Sequence, residues 1–571
     1  MWLKIIALII SDAKSVNRTV VNNSNKACLM KANNHITIIR SFVALGVACA
    51  ISGAWAANVP AGTELAAKQE LVRNNGSEPA SLDPHKVESD VEFNLISDFF
   101  DGLVVVRNDG SIEPRLAEKW EEKDNTVWTF HLRPGLKWSN GEPITAEDVV
   151  WSWQRLADPK TASPYASYLG GMHIANAADI ALGKQAPDTL GVKALDANTL
   201  QITLTQPTAA FLAMLAHPSL VAIDKTVVEK FGDKWTQPGN FVSSGAYTLS
   251  QWVVNEKVIG LRNKQYWDDS HTVINKVTYL PIASETADIN RYKAGEIDIV
   301  YTLSQTQFGS LKKSIPDQVH VTPKLATYYY EFNTTKAPFN DPRVRRALNM
   351  ALDKDIIAER VLGQGQIPAW VVSQKKIGGV EIKSPEYASW THEKRVAEAK
   401  KLLEEAGFNA SHPLSFNLLY NTSENHKRIA IAVSSMWSKN LGVEAKLQNQ
   451  EWKTMLDTMH NGTFDVVRYA WVADYDDAST FLNTFRTGNS ENNSKYSNAA
   501  YDEALNNAAK ADNVADRGKF YQQAEDLLAK DVPAIPVYHY VLAQLVKPFV
   551  GGYAPNNLGQ YFTRDMYIKK H

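Results

Sequence analysis

Along Phe464 to Trp471 the residues alternate strictly. Phe464, Val466, Arg468 and Ala470 share one face, and Asp465, Val467, Tyr469 and Trp471 share the other, which predicts a strand. The stretch runs on to Phe481 through three acids, Asp474, Asp476 and Asp477. Upstream, Leu414 to Tyr420 also reads as a strand. Ser423 is placed to cap a helix whose apolar side is Ile429, Val433, Met436, Trp437 and Leu441, and Gly442 ends it. Val443, Ala445 and Leu447 alternate again, and a short helix, Glu451 to Met459, leads back to the strand at Phe464. This β-α-β-α-β order predicts a parallel sheet with helices on its faces.

The rest of the chain reads as strands and helices without internal repeats, low-complexity tracts or long linkers. Glu70–Arg73 is extended, and Glu78 to Pro84 is turn chemistry. Helices are predicted over Asp90–Phe100, after Thr145, over Phe211–Ala216, Glu285–Ala294, Glu393–Ala406 (capped by Thr391) and Asp516–Ala529. Strands are predicted at Trp128–Arg133, Asn198–Leu204, Ser244–Leu249, Lys257–Arg262, Lys276–Leu280, Gly295–Ile299 and Ala534–Leu545.

With 571 residues the chain exceeds one core, so two or three lobes are expected. Residues 1–56 differ from the remainder of the chain. Arg40, the apolar run Phe42–Ile51 and Ala54-Trp55-Ala56 have the order of a secretory signal cut after Ala56, and the run is too short to span a membrane. Met30-Lys31 would open a more typical signal than Met1. Lipidation of Cys49 is the weaker alternative, because Gly46 and Val47 do not resemble the residues that precede such a cysteine. Removing this segment leaves 54 basic against 61 acidic residues, net −7. That charge gives no electrostatic reason to bind nucleic acid. Both cysteines, Cys28 and Cys49, leave with it, so neither a disulfide nor a thiolate remains.

In an open α/β sheet, ligands sit beyond the carboxyl ends of the strands. Two such ends carry polar residues, Asn421 to His426 and Asp474, so His426, Arg468 and Asp474 can converge on one cleft. A ligand with a positive and a negative end would suit them. Each has a structural alternative. Asp474 can cap the following helix in competition with Ser479, Arg468 can pair with Asp465 or Asp457, and His426 can simply occupy a helix start. Trp452 and Trp471 can be core. No H-E-x-x-H, G-x-S-x-G or phosphate-binding loop is present, the thirteen His show no metal-ligand spacing, and Ser373-x-x-Lys376 lacks partner motifs. No cofactor is expected, and an enzyme is not.

From about Ala57 to His571 the chain resembles the solute-binding proteins of peptide ABC transporters. The residues that carry this include Glu78-Pro-x-Ser-Leu-Asp-Pro84, Trp138-Ser-Asn-Gly-x-Pro143, Arg291-Tyr-x-x-Gly-Glu-Ile-Asp298 and Pro338-Phe-Asn-Asp-Pro-Arg-Val-Arg345. Thr327-Tyr-Tyr-Tyr330, Leu418-Leu-Tyr-Asn-Thr-Ser423 and Asn449-Gln-Glu-Trp-Lys-Thr454 narrow it to the periplasmic oligopeptide binders and their murein-peptide relatives. The resemblance implies a bilobed, three-domain α/β clamshell with mixed sheets, of the class II type. Residues 57–100, 225–325 and 542–571 would form lobe I, residues 101–224 a small β-rich domain and residues 326–541 lobe II. It implies a monomeric periplasmic protein that takes short peptides to an inner-membrane permease. An extended peptide would add a strand between the lobes, with its side chains in hydrated pockets. Asp474 would meet the peptide ammonium with help from Tyr165, Arg468 and His426 would meet the carboxylate, and Trp452 and Trp471 would wall a pocket. Glu88 joins the ligand-binding set. Three departures stand out: Ala326 and Val472 occupy the positions of a cysteine pair, and Leu362 and Met459 replace cations. A murein tripeptide receptor is therefore the alternative, and an exported peptide hydrolase a remote one.

Overall fold

The computed structural model describes residues 59–511 and 513–571; the predicted signal segment lies outside them. The carboxy-terminal half is built on a six-stranded sheet. Its order is Ile367–Pro368, Ala534–Leu545, Val319–Phe332, Val466–Val472, Ser415–Asn421 and Glu444–Gln450. The last three strands run parallel to one another, Ser415–Asn421 lying between the other two. The expected β-α-β-α-β unit is therefore present. The sheet as a whole is mixed rather than parallel, because Val319–Phe332 pairs antiparallel with both Val466–Val472 and Ala534–Leu545. Sequence order could not show this, since Val319–Phe332 and Ala534–Leu545 lie far from the parallel unit along the chain.

Both faces of this sheet are buried, and the alternation divides the strand residues between two cores. Tyr328, Tyr330, Leu418 and Val466 pack with Ile429, Val433 and Trp437 of the helix Glu424–Leu441. Tyr329, Leu419, Val467, Tyr469 and Trp471 face a second core that continues into the amino-terminal half. The helix begins as its sequence dictates. Ser423 Oγ accepts the His426 N–H at 3.2 Å, and Gly442 closes it at φ 70°, a conformation glycine adopts without strain.

The amino-terminal half holds two four-stranded sheets. One is ordered Glu70–Asn74, Lys276–Leu280, Lys257–Arg262, Tyr247–Val253; the other Ala117–Lys123, Val127–Leu132, Thr199–Thr203, Val192–Asp196. Thr145 precedes the helix Ala146–Ala157, and its N–H and hydroxyl both donate to Asp148, at 2.7 and 2.9 Å. One predicted strand does not form. Within Gly295–Ile299 only Ile299 bridges, to Arg73 and Val546. The segment has the right residues, but no neighbour runs beside it for more than one position.

Where the two halves meet, two helix starts face each other. Glu285 opens the helix Glu285–Lys293, and its carboxylate accepts the N–H groups of Glu424 (2.9 Å) and Asn425 (3.3 Å) and the Ser423 hydroxyl. Glu424 returns the arrangement, accepting the hydroxyls of Ser284 (2.7 Å) and Thr286 (2.6 Å). Each helix thus sets an acid at the positive dipole end of the other, and Glu285 also fills two of the free N–H donors there.

Candidate functional site

The carboxyl ends of Ser415–Asn421 and Val466–Val472 lie at one edge of the sheet, as parallel strands require. Beyond them is a cavity of about 280 Å³. Its lining includes all seven residues singled out from the sequence: Glu88, Tyr165, His426, Trp452, Arg468, Trp471 and Asp474.

Asp474 follows the strand end directly. It does not cap the helix Ser479–Leu482; Asp477 instead accepts the Ser479 N–H and hydroxyl, at 3.0 and 2.7 Å. Asp477 also takes the Tyr521 hydroxyl (2.6 Å), and Asp476 accepts the Gly378 N–H (2.9 Å), so these two acids organise the loop. Asp474 is left to face the opposite wall. Tyr165 donates its hydroxyl at 3.2 Å, and burial together with Asp474 holds that phenol protonated by raising it well above the usual tyrosine range. His217 Nε2 stands 3.3 Å from the same oxygen, close but not aligned as a hydrogen bond. The His217 Nδ1 accepts the Ser219 N–H at 3.2 Å, which leaves the proton on the nitrogen facing Asp474. Phe93 packs edge-on against both rings, 5.8 Å from Tyr165 and 4.9 Å from His217. Nothing in the sequence marked His217.

Arg468 pairs with neither Asp465 nor Asp457. Its Nη1 donates to Asn421 Oδ1 at 3.0 Å and its Nη2 to the Tyr540 hydroxyl at 2.7 Å, while the guanidinium lies 4.6 Å from the Tyr328 ring centroid. Its Nε has no partner among the described residues. Burial works against the charge of Arg468, and the surrounding tyrosines Tyr540, Tyr328 and Tyr538 outweigh it, so the guanidinium stays protonated. His426 occupies the first turn of its helix, as the structural alternative had it, and also lines the cavity. Burial, and then Arg468, holds its imidazole well below its usual value, so the ring is neutral; its Nδ1 is buried without a partner.

Trp452 stacks on Tyr469 with centroids 6.2 Å apart and planes 5° apart, and its indole N–H is unpartnered although the residue is only 9% exposed. Trp471 donates to Thr480 Oγ1 at 3.3 Å. Glu88 enters from the amino-terminal half, its two oxygens each 3.1 Å from His460 Nε2 and one of them 3.5 Å from the Tyr469 hydroxyl. Ala326 and Val472 are direct register partners on adjacent strands. Met459 and Leu362 are fully buried, 0% and 2% exposed, so neither position offers the cleft a charge. Ser373 has its hydroxyl and N–H committed to Glu525, at 2.6 and 2.7 Å, as part of the core. Among the described residues no group of His, Cys, Asp or Glu is arranged to hold a metal ion.

A family model described as bacterial extracellular solute-binding proteins, family 5, matches residues 111–493. The periplasmic oligopeptide-binding protein OppA of Salmonella typhimurium is 53% identical over 537 residues, covering 93% of this chain and 99% of that one. The periplasmic murein peptide-binding protein MppA of Escherichia coli is 47% identical over 522 residues, covering 91% and 97%. Among solved structures, the E. coli murein tripeptide binding protein MppA superposes with a TM-score of 0.88 at 46% identity, over 89% of this chain and 100% of that one. Haemophilus influenzae OppA in complex with RPPGFSPFR gives 0.87 at 44% identity, over 89% and 100%. The unliganded open form of MppA, also 46% identical and covering 90% and 99%, gives only 0.63. Fold, cleft and comparisons agree: this chain belongs to the bacterial extracellular solute-binding proteins of family 5.

Proposed function

We propose that this chain is a monomeric periplasmic receptor that closes on short peptides and delivers them to an ABC importer permease in the inner membrane. The observation that carries this reading is a pair of opposite charges, neither neutralised by a full counter-charge, on one cavity. Asp474 faces only a phenol and an imidazole, and Arg468 faces an amide, a phenol and a ring. A peptide brings the missing ammonium and carboxylate. On this reading Asp474 takes the ammonium, with Tyr165 holding its carboxylate in place and His217 beside it. Arg468 takes the terminal carboxylate, and neutral His426 beside it can accept a proton as that charge arrives. Trp452 and Trp471 wall a side-chain pocket, with Glu88 at its rim. Residues 57–100, 225–325 and 542–571 serve as lobe I and residues 326–541 as lobe II, with residues 101–224 as the small domain that brings Tyr165 and His217. Closure shifts an open–closed equilibrium by the contacts that the closed form alone makes.

A murein tripeptide receptor is the second reading. It is supported by the apolar pair Ala326–Val472, where the resemblance places cysteines in the oligopeptide binder, and by the likeness to MppA. Native mass spectrometry of protein purified from its host separates the two readings, because a retained ligand reports its own mass. Incubation with a tripeptide tests both against a hydrolase: an intact peptide co-eluting with the protein is expected, and cleaved fragments would overturn both.

A further inference from the structure

The strand Val466–Val472 hands over to Asp474 in two steps. The Ala473 N–H still bonds the Leu325 carbonyl, at 2.7 Å, which continues the ladder with the neighbouring strand. The Asp474 N–H has left that ladder and needs another acceptor, because a backbone donor shielded from water is costly to leave unpaired. It finds one six residues ahead, where the Thr480 hydroxyl oxygen accepts it at 2.9 Å. The same oxygen accepts the Trp471 indole N–H at 3.3 Å, and Thr480 is only 3% exposed. One buried hydroxyl thus gathers the strand end and the residue that follows it.

A threonine in a helical turn ordinarily does something else. Its hydroxyl donates back to a carbonyl three or four residues earlier, and Thr484, four residues on, does so, to Phe481 at 2.7 Å. Thr480 is turned towards the strand end by the loop before it. Asp477 accepts the Ser479 N–H and hydroxyl and the Tyr521 hydroxyl, and its carbonyl accepts the Thr480 N–H at 3.2 Å. These bonds seat the short helix Ser479–Leu482 so that Thr480 faces Asp474. The carboxylate is then presented on one side. The Tyr165 hydroxyl and His217 Nε2 both approach Oδ1, at 3.2 and 3.3 Å, while Oδ2 has no hydrogen bond among the described residues. Tyr165 and His217 come from the amino-terminal half. Thr480 belongs to the same half as Asp474 and holds it through the backbone, so the acid has its place whether or not the opposite wall is present.

We propose, on the basis of the peptide-binding reading, that Thr480 is the residue that positions Asp474 for the peptide ammonium. Thr480 is not among the residues that line the cavity, so it acts through Asp474 and not on the ligand. A carboxylate fixed in advance spares the ligand the cost of ordering it, and that saving is lost when the residue behind it lets go. Removing the hydroxyl takes the acceptor from the Asp474 N–H and the Trp471 indole together. The turn is then free to carry the carboxylate away from the ammonium, while the rest of the cleft keeps its contacts.

The test is isothermal titration of the full-length protein with trialanine and with its analogue lacking the amino group. The ratio of the two affinities reports the ammonium contact alone. Wild type is expected to prefer trialanine by about a hundredfold or more. Thr480→Val keeps the volume without the acceptor and is expected to lower that ratio by about fivefold or more. Thr480→Ser returns the hydroxyl and is expected to restore the ratio to within about twofold of wild type. Thermal melts check folding, and if the valine variant does not fold, Thr480→Ala removes the same acceptor and is read in the same way. A merely structural role would weaken both ligands equally. A ratio unchanged without the hydroxyl, or a serine variant no better than the valine one, overturns the proposal and leaves the peptide reading standing. Wild type that binds the two ligands equally overturns the ammonium role of Asp474 and the proposal with it.

Discussion

Two of the places where the amino- and carboxy-terminal halves meet differ in how completely their polar groups are satisfied. At the Glu285–Glu424 seam Glu285 accepts two backbone N–H groups and the Ser423 hydroxyl at one helix start, and Glu424 accepts two hydroxyls at the other, five hydrogen bonds in all. At the cleft the reverse holds. Arg468 Nε, His426 Nδ1, Trp452 Nε1 and His217 Nε2 are all buried without a partner among the described residues. Native proteins rarely leave buried polar groups unpaired, because each costs about 1–3 kcal/mol. A dense set of them on one cavity marks where a ligand completes the structure, whereas a saturated seam marks where the lobes complete each other. Both places hold acids at lobe boundaries, and only hydrogen-bond accounting tells them apart.

The contrast can be broken most severely at Asp474. Replacing it by Ala removes one member of a desolvated charge pair, worth about 3–5 kcal/mol, and so is expected to weaken tripeptide binding by at least a hundredfold with little change in melting temperature. Calorimetric titration of wild type and variant measures this, and equal affinities would return Asp474 to the loop. Glu285→Ala comes next. It strips the seam while leaving Asp474, Arg468 and His426 in place, and losing a helix cap costs about 1 kcal/mol. Roughly a fivefold loss of affinity is expected, carried by faster dissociation, together with a larger radius of gyration by X-ray scattering in the absence of peptide. A loss as large as that of Asp474→Ala would show that the seam and the site are one.

The smallest effect is one of pH. Glu88 raises the His460 imidazole above its usual value, chiefly through their hydrogen bond and against burial. A raised histidine stabilises the folded, closed form fully below its ordinary value and ceases to do so as the pH climbs through the raised one. The contribution of the Glu88–His460 pair should therefore fade from mildly acidic to mildly alkaline pH. The His460 ring resonance, followed by NMR, is expected to titrate above the ordinary imidazole range in wild type and to fall back in Glu88→Gln. An unshifted midpoint in wild type would remove the pair from the closure contacts.

Much of this was legible in the chain because it is locally encoded. The period-two pattern around Arg468, the Ser423 start and the Gly442 stop give the same elements in the sequence and in the structure. The convergence of His426, Arg468 and Asp474 followed from one topological rule applied to parallel strands. Where local reading failed, the missing information was a partner. Gly295–Ile299 has strand-forming residues, but strand length is set by a neighbour's ladder. Arg468 follows two candidate acids, Asp457 and Asp465, along the chain, yet the fold gives it Asn421 and Tyr540 instead. His217 carried no signal, because its significance is only its distance from Asp474.

By itself, then, the sequence determined the elements, the family resemblance and the residues able to meet a charged ligand, since side-chain chemistry and backbone periodicity are properties of short stretches. Tertiary structure alone decided which groups are paired. Tyr165 reaches Asp474 across 309 positions, and Glu285 meets Ser423 across 138. No periodicity spans such separations. Whether a buried polar atom is satisfied or waits for a ligand depends on a few tenths of an ångström between elements that the packing of two cores brings together.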